Sequence, residues 1–368
     1  MASQVFFANL RCRSAADNKA AKIARLFAAA GFGACLAPGR LTAVKVHFGE
    51  MGNDTFLSPV LAAAVVAEIK KAGARPFLTD TNTLYAGSRH NAADHLATAL
   101  RHGFGYEVTG APVLIADGLL GENETEVAIP GRRIARARMA GAIVRAEAML
   151  VLSHFKGHEL AGFGGAVKNL AMGCATGAGK RDQHSPRFDV DPDRCAGCGE
   201  CAAVCPAAAI AVAEGRASID KERCVGCGEC YIHCPEKALE IDWRTEIPVF
   251  MERMTEYALA AVQGKQGRLG FFNFLLDVTP DCDCLPWSDA PLVPDIGILA
   301  SKDPVALDAA CLDLVNRAAA HAGTHLTRNL EPGADKFSGL WGHTQGRIQL
   351  DYGQELGLGG TDYRLVEL

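Results

Sequence analysis

Apolar positions in the first half of the chain come in short runs that alternate with helical patterns. VFFANL (Val5–Leu10) reads as a strand, the stretch near Asp17–Ala30 as a helix, LTAVKVHF (Leu41–Phe48) as a strand, and SPVLAAAVVAEIKKAG (Ser58–Gly73) as a helix closed by glycine. RPFLTD (Arg75–Asp80) and AMLVLSH (Ala148–His154) continue the strands, separated by a polar helix holding His90, His95 and His102. Strands spaced by helices predict βα units on a mainly parallel sheet. Loops follow the strand ends at DTNTLYAG and SHFKGHELAGFGGAVKN, and ligands of open α/β sheets gather at the carboxyl ends of strands.

The pattern breaks at HSPRFDVDPD, where prolines and acidic residues crowd together, and resumes around Ile241–Trp243. A helix near Pro248–Val262, the strands RLGFFNFLLDV and DIGILAS, and the helix VALDAACLDLVNRA follow. The chain therefore divides into a first part of an α/β body (1–185), an insert (186–243) and a second part of the body (244–368). An insert of about 58 residues is small enough that a cofactor often substitutes for a large core.

Composition narrows the partners. The formal charge of −5 is small for 368 residues, and no block of Lys and Arg is present to grip a phosphate backbone, which argues against nucleic acid. No apolar run approaches the roughly 20 residues that span a bilayer. The N-terminal apolar run is short and precedes basic residues, the reverse of a secretory signal. Fourteen cysteines without an export signal point to a reducing, cytoplasmic setting in which thiols serve metals or catalysis.

Eight of those cysteines form a duplication. RCAGCGECAAVCPAAAI recurs 29 residues later as RCVGCGECYIHCPEKAL, and each copy reads CxxCxxCxxxCP, the spacing of bacterial two-cluster ferredoxins. Three thiolates from one tight loop cap one cubane while the fourth points to the other. This assigns Cys195, Cys198, Cys201 and Cys234 to one [4Fe–4S] cluster, and Cys224, Cys227, Cys230 and Cys205 to a second. Structural zinc would use CxxC pairs separated by longer gaps. The predicted fold class is thus α/β, a mainly parallel sheet body with an inserted small α+β dicluster ferredoxin-like domain.

The body carries its own candidate chemistry. From His154 to His184 a Gly-rich segment collects three histidines, three lysines and Cys174 just after a strand. Glycines let backbone approach a ligand, while His and Lys supply acid, base or nucleophile. Lys168 lies among small and apolar residues, and burial there would lower its pKa and free its amine. Cys282 and Cys284 form a CxC with Asp281 and Asp283 interleaved, a pair better suited to metal capture or redox work than to a relaxed disulfide. Cys12, Cys35 and Cys311 read as buried small residues, and His47 and Glu50 as a strand-end pair satisfied structurally.

KVHFGEMGN, DTNTLYAGSR, SHFKGHELAGFGGAVKN, the CxC of TPDCDC and DIGILASKDPVALDAA together resemble the uncharacterised iron-sulfur centre proteins of DUF362 type, over nearly the whole chain. That family is named for its cluster, so the resemblance implies iron–sulfur binding and no particular reaction. HELAGFGGAVK is also similar to the HxxAGFxGGxxK stretch of nickel-pincer lactate racemases. By that resemblance Lys168 would carry a pincer cofactor, His158 would move protons and His184 would ligate nickel. Where those racemases supply a second histidine, DTNTLYAG offers Thr81, Asn82 and Tyr85.

His158, Lys168, His184 and Asn82 are accordingly the candidate catalytic residues, beside two [4Fe–4S] clusters and an additional metal or organic cofactor, with Cys282 and Cys284 as further metal candidates. The leading expectation is an oxidoreductase that passes electrons between the clusters and a site in the α/β body, with a redox protein or small molecule as partner. The alternatives are a non-redox enzyme with a cofactor on Lys168 and structural clusters, and an electron carrier or assembly accessory protein without turnover.

Overall fold

The computed structural model describes residues 2–85, 87–184, 188–224, 226, 229–241 and 243–368; for 232, 241 and 243–246 the backbone alone is described. An eight-stranded sheet forms from β1 (Ser3–Asn9), β2 (Leu41–Val46), β3 (Arg75–Asp80), β4 (Val113–Ile115), β5 (Ala148–His154), β6 (Leu269–Leu275), β7 (Gly297–Ser301) and β8 (Tyr363–Glu367). Their spatial order is β8-β1-β7-β6-β5-β2-β3-β4. The run from β4 through β3, β2 and β5 to β6 is parallel throughout, while β7 is antiparallel to both β6 and β1.

Side chains alternate between two apolar layers, as the pleat requires. Ala43, Met149, Val151 and Phe271 face one core, and Val44, Val46, Leu150, Leu152, Phe272 and Phe274 face the other. Burial on both faces explains the continuous apolar run AMLVL of β5, while β3 (RPFLTD) is buried beyond its first residue although it carries Thr79 and Asp80. On the second face lie α1 (Lys19–Ala29) and α2 (Pro59–Lys71). A polar helix, α3 (Ala92–Arg101), follows; His95 lies within it, whereas His90 precedes it and His102 caps its end. The first face is covered by α4 (Ala166–Cys174), α6 (Trp243–Val262) and α7 (Pro304–Arg317), with α5 (Gly177–His184) packed on α6. Helix α6 starts five residues before the expected Pro248, which is therefore its sixth residue, inside the helix, and contributes no amide donor to the helical ladder there.

The insert is a two-fold repeat of one unit. Phe188–Val190 pairs antiparallel with Leu239–Ile241, and Arg216–Ile219 pairs antiparallel with Ile210–Ala213. Adding 29 to each member of the first pair, or subtracting it, lands on the second. The same offset relates individual bonds. Cys195 N–H donates to Asp191 O as Cys224 N–H does to Asp220 O, and Asp191 N–H donates to Ala238 O as Asp220 N–H does to Ala209 O. Among the described residues no helix is long and apolar enough to cross a membrane.

One interhelical contact fixes the helix that carries Lys168. Asp308 of α7 accepts from the Ala166 and Val167 amides at the start of α4 (2.7 and 2.9 Å) and from Asn273 Nδ2 (2.6 Å). Gly165 makes room for it, since a Cβ there would lie 2.3 Å from Asp308 Oδ1. Asp308→Ala should lower stability by about 3 kcal/mol or more, at roughly 1–3 kcal/mol per unsatisfied buried donor. A thermal melt reads this directly, with Asp308→Asn falling less because it keeps one acceptor; an unchanged Tm in the Ala variant would contradict the anchoring role.

Candidate functional site

A cavity of about 360 Å³ opens at the carboxyl ends of β2, β3, β5 and β6. His47 and Glu50 reach it from the loop after β2, Thr81, Tyr85 and Arg89 from the loop after β3, and His158, Glu159 and Lys168 from the segment after β5. Lys180 and His184 of α5, Phe250 of α6, and Cys282 and Cys284 of the loop after β6 complete the wall. Three of the four expected catalytic residues, His158, Lys168 and His184, therefore share one space with the CxC. Asn82 does not line it: its Nδ2 donates to Gly118 O (2.9 Å) and its amide to Asp117 Oδ1 (3.0 Å), so it braces a neighbouring loop. Thr81 and Tyr85 take its place.

The CxC turn is held by the residue between its cysteines. The Asp283 carboxylate, 1% exposed, binds His154 Nδ1 (2.8 Å) and Lys156 Nζ (2.9 Å), and these two partners hold its pKa below the usual range against the effect of burial. The Gly157 amide donates to Thr279 O (2.8 Å), and a Cβ at Gly157 would lie 2.2 Å from Pro280 O, which explains glycine there. The turn presents Cys282 to Lys168, with Nζ 3.6 Å from Sγ.

This pairing corrects the expectation for Lys168. Burial does pull its pKa down, but Cys282, Cys284 and Glu159 outweigh that and leave it raised, so the amine stays an ammonium ion. The thiol of Cys282 is lowered well below its usual value, first by a hydrogen bond from Cys284 and then, against burial, by Lys168 and Lys156. Cys284 is raised by the same hydrogen bond, so the pair shares one proton and Cys282 is the thiolate. Cys174 stays apart. It is buried, its thiol pushed up to about 11 by desolvation, and its Sγ lies 3.8 Å from Asn169 O. Cys35 and Cys311 are buried as expected, but Cys12 is exposed.

His158 Nδ1 accepts the amides of Leu160 and Ala161 (3.1 Å each), so the neutral ring carries its proton on Nε2, the nitrogen left for a ligand. Burial, then Lys168 and His184, push its pKa well down. His184 stacks on Phe250 (centroids 5.1 Å) and is lowered to about 4 by burial and by Lys168 and Lys180. Lys180 donates to Thr81 Oγ1 (2.5 Å) and Ala175 O (2.8 Å), both neutral, and burial lowers it to about 8. Arg89 is paired with Glu50 (3.1 Å), and Asp80 with Lys45 (2.9 Å). Sequence reasoning passed over Arg89, a single residue in its loop, set Glu50 aside with His47 as structural, and counted Lys180 among the lysines of the Gly-rich segment without giving it a role; for Arg89 and Glu50 a place after strand ends was the available signal.

In the insert, Cys195, Cys198, Cys201 and Cys234 line one small cavity, three from the first loop and one from the second. Backbone amides reach the sulfurs, Ala217 to Cys195 (3.4 Å), Ala238 to Cys234 (3.3 Å) and Ala209 to Cys205 (3.2 Å). Gly197 carries φ +64°, and a Cβ there would lie 2.3 Å from Gly215 O, so glycine is needed for the loop to close. Four convergent thiols with amide donors fit a [4Fe–4S] cluster. Among the described residues no group of three or more His, Cys, Asp or Glu is arranged around a single ion. For the second set, Cys224, Cys230 and Cys205 are described and Cys227 lies outside the described residues.

Alkylation tests the Lys168–Cys282 pair. The reaction of Cys282 with iodoacetamide should already be near its plateau at pH 7, since thiolate is the reactive form. Lys168→Gln moves the titration up, slowing the reaction at that pH about tenfold for each unit of the rise. A wild-type rate in the variant would show that Lys168 does not hold the thiolate.

No curated protein matches the chain. Among solved structures it is similar to the lactate racemase apoprotein of Thermoanaerobacterium thermosaccharolyticum, with 12% identity over 74% of this chain and 51% of that one and a TM-score of 0.38. It is also similar to a Thermotoga maritima protein, with 9% identity over 70% and 50% and a TM-score of 0.33. The chain spans about half the length of each, and likenesses this distant carry no argument about its chemistry. A family model described as Domain of unknown function (DUF362) matches residues 42–313, which takes in both the cavity-forming loops and the insert, and the chain belongs to that family.

Proposed function

We propose that this chain is an iron–sulfur oxidoreductase that passes electrons, through two [4Fe–4S] clusters held in the insert, to or from a small anionic molecule bound at the strand-end cavity. The observation that carries this reading is the convergence of Cys195, Cys198, Cys201 and Cys234 on one space, because the CxxCxxCxxxCP spacing shares its fourth ligand between loops. The clusters supply one-electron chemistry when bound. The amides of Ala217, Ala238 and Ala209 stabilise charge on their sulfurs and so tune the potential.

Connectivity supports exchange between the two sites. Only three residues separate His184, on the cavity wall, from Phe188, so their α-carbons are at most about 14 Å apart. Phe188 packs in the same small core as Cys201, Cys230 and Cys234. In the cavity, Lys180 is hydrogen-bonded to neutral oxygens and is suited to an anionic ligand, and His158 offers Nε2–H as a donor.

A second reading, a cofactor tied to Lys168 with structural clusters, is favoured by the convergence of His158, Lys168 and His184 on one cavity. It calls for nickel or another metal beyond iron and for added mass on the Lys168 peptide.

Anaerobically purified protein is expected to hold about eight iron and about eight acid-labile sulfide and to give interacting signals by EPR after dithionite reduction. Cys201→Ala should lose about half the iron. Zinc in place of iron and sulfide, or a full complement of both clusters in the Cys201 variant, would overturn the proposal.

A further inference from the structure

Cys282 and Cys284 are set apart from the other cysteines of the body. Cys35, Cys174 and Cys311 lie buried with thiols raised by desolvation, as filler residues do. Cys282 and Cys284 instead face a ligand-sized cavity from one turn, closed by the hydrogen bond from Leu285 N–H to Cys282 O (3.0 Å). Two virtual bonds of about 3.8 Å bent at such a turn bring their α-carbons into the range a disulfide spans, about 4.4–6.8 Å. Metal capture fits less well, because among the described residues no third His, Cys, Asp or Glu joins the pair around one ion.

We propose that Cys282 and Cys284 are a redox-active dithiol that cycles to a disulfide and exchanges its two electrons, one apiece, with the two [4Fe–4S] clusters. The proposal rests on the cluster reading above and names the group in the body that meets it. Oxidation forms the S–S bond, breaks the Cys284 S–H bond, and releases two electrons and one proton. One electron reduces each oxidised cluster. The proton goes to Glu159, which lines the same cavity, has its Oε2 buried without a hydrogen-bond partner, and has its pKa raised by burial and by Cys282. Lys168 Nζ, 3.6 Å from Cys282 Sγ, holds the attacking sulfur as thiolate, and the Asp283 clamp keeps the turn in place. A disulfide between residues two apart closes a small ring, and the strain keeps the bond easy to reduce. The pair would gather two single electrons into one two-electron equivalent beside the bound anion.

The test is a reductive titration of anaerobic holoprotein after oxidation with thionin, with mass spectrometry of the peptide bearing both cysteines. Oxidised wild-type protein should take up about four electrons and Cys284→Ser about two, with unchanged cluster EPR, since a disulfide is a two-electron couple. The wild-type peptide should resist iodoacetamide when oxidised and take two labels when reduced. Equal electron uptake in the two proteins, with both thiols labelled in the oxidised sample, overturns the proposal. Absence of iron and sulfide would defeat the cluster reading and, with it, the proposed electron partner. The thiol pair is then judged separately in glutathione buffers, where a reversible disulfide upholds the redox pair and two free thiols at every ratio overturn it.

Discussion

Asp283 is a carboxylate with almost no access to water, and the arrangement of the site depends on how its charge is met. Desolvating such a group costs several kcal/mol and is tolerated only with close partners. Both partners, His154 and Lys156, come from the end of β5, so the loop after β6 is tied to the neighbouring parallel strand. Glu50 N–H donates to Asp283 O (2.9 Å), which ties in the loop after β2 as well. With its carboxylate turned toward those partners, the thiols on either side of it face the cavity.

The same rule shapes the opposite wall. Lys45 pairs with Asp80 (2.9 Å), Arg89 lies 3.6 Å from Asp80 and 3.1 Å from Glu50, and all four are buried. Tyr85 OH accepts from Arg89 (2.6 Å) and donates to Cys284 O (2.8 Å), which joins this wall to the CxC turn. Apolar layers hold sheet and helices together, while buried ion pairs fix the loops that the layers leave free. Lys168 is placed by a third device, the Asp308 cap on α4, and it shares a helix face with Met172 four residues on, which also lines the cavity.

What could be read from the sequence follows from these scales. Strand β5, buried on both faces, announced itself as an apolar run, and the cysteine duplication was visible because a local loop repeats. His158, Lys168 and His184 fell in one Gly-rich segment and do share one cavity. The three-residue β4 is too short for a period to emerge, and the C-terminal β8 (YRLVE) mixes polar and apolar residues with none of them fully buried. The protonation of Lys168 was misread because its sequence neighbours are apolar while the group that decides the matter, Cys282, is 114 positions away. Asn82 was favoured over Thr81 and Tyr85 because a loop's composition does not say which side chain turns inward.

The insert poses a different problem of stability. Its core, among the described residues, consists of Phe188, Cys201, Ala217, Cys230, Cys234, Ala238 and Leu239, so three of seven buried members are thiols. Two alanines add little apolar area, and a domain of this size has few other ways to offset the entropy of ordering its chain. Thiols that gain their main bonding from a metal cluster would make folding and ligation one event. The position of the insert then gains meaning. The chain leaves the body at His184 and returns through α6, whose Phe250 stacks on that same histidine. The insert thus leaves the body and rejoins it beside the cavity wall, next to the stacked His184 and Phe250.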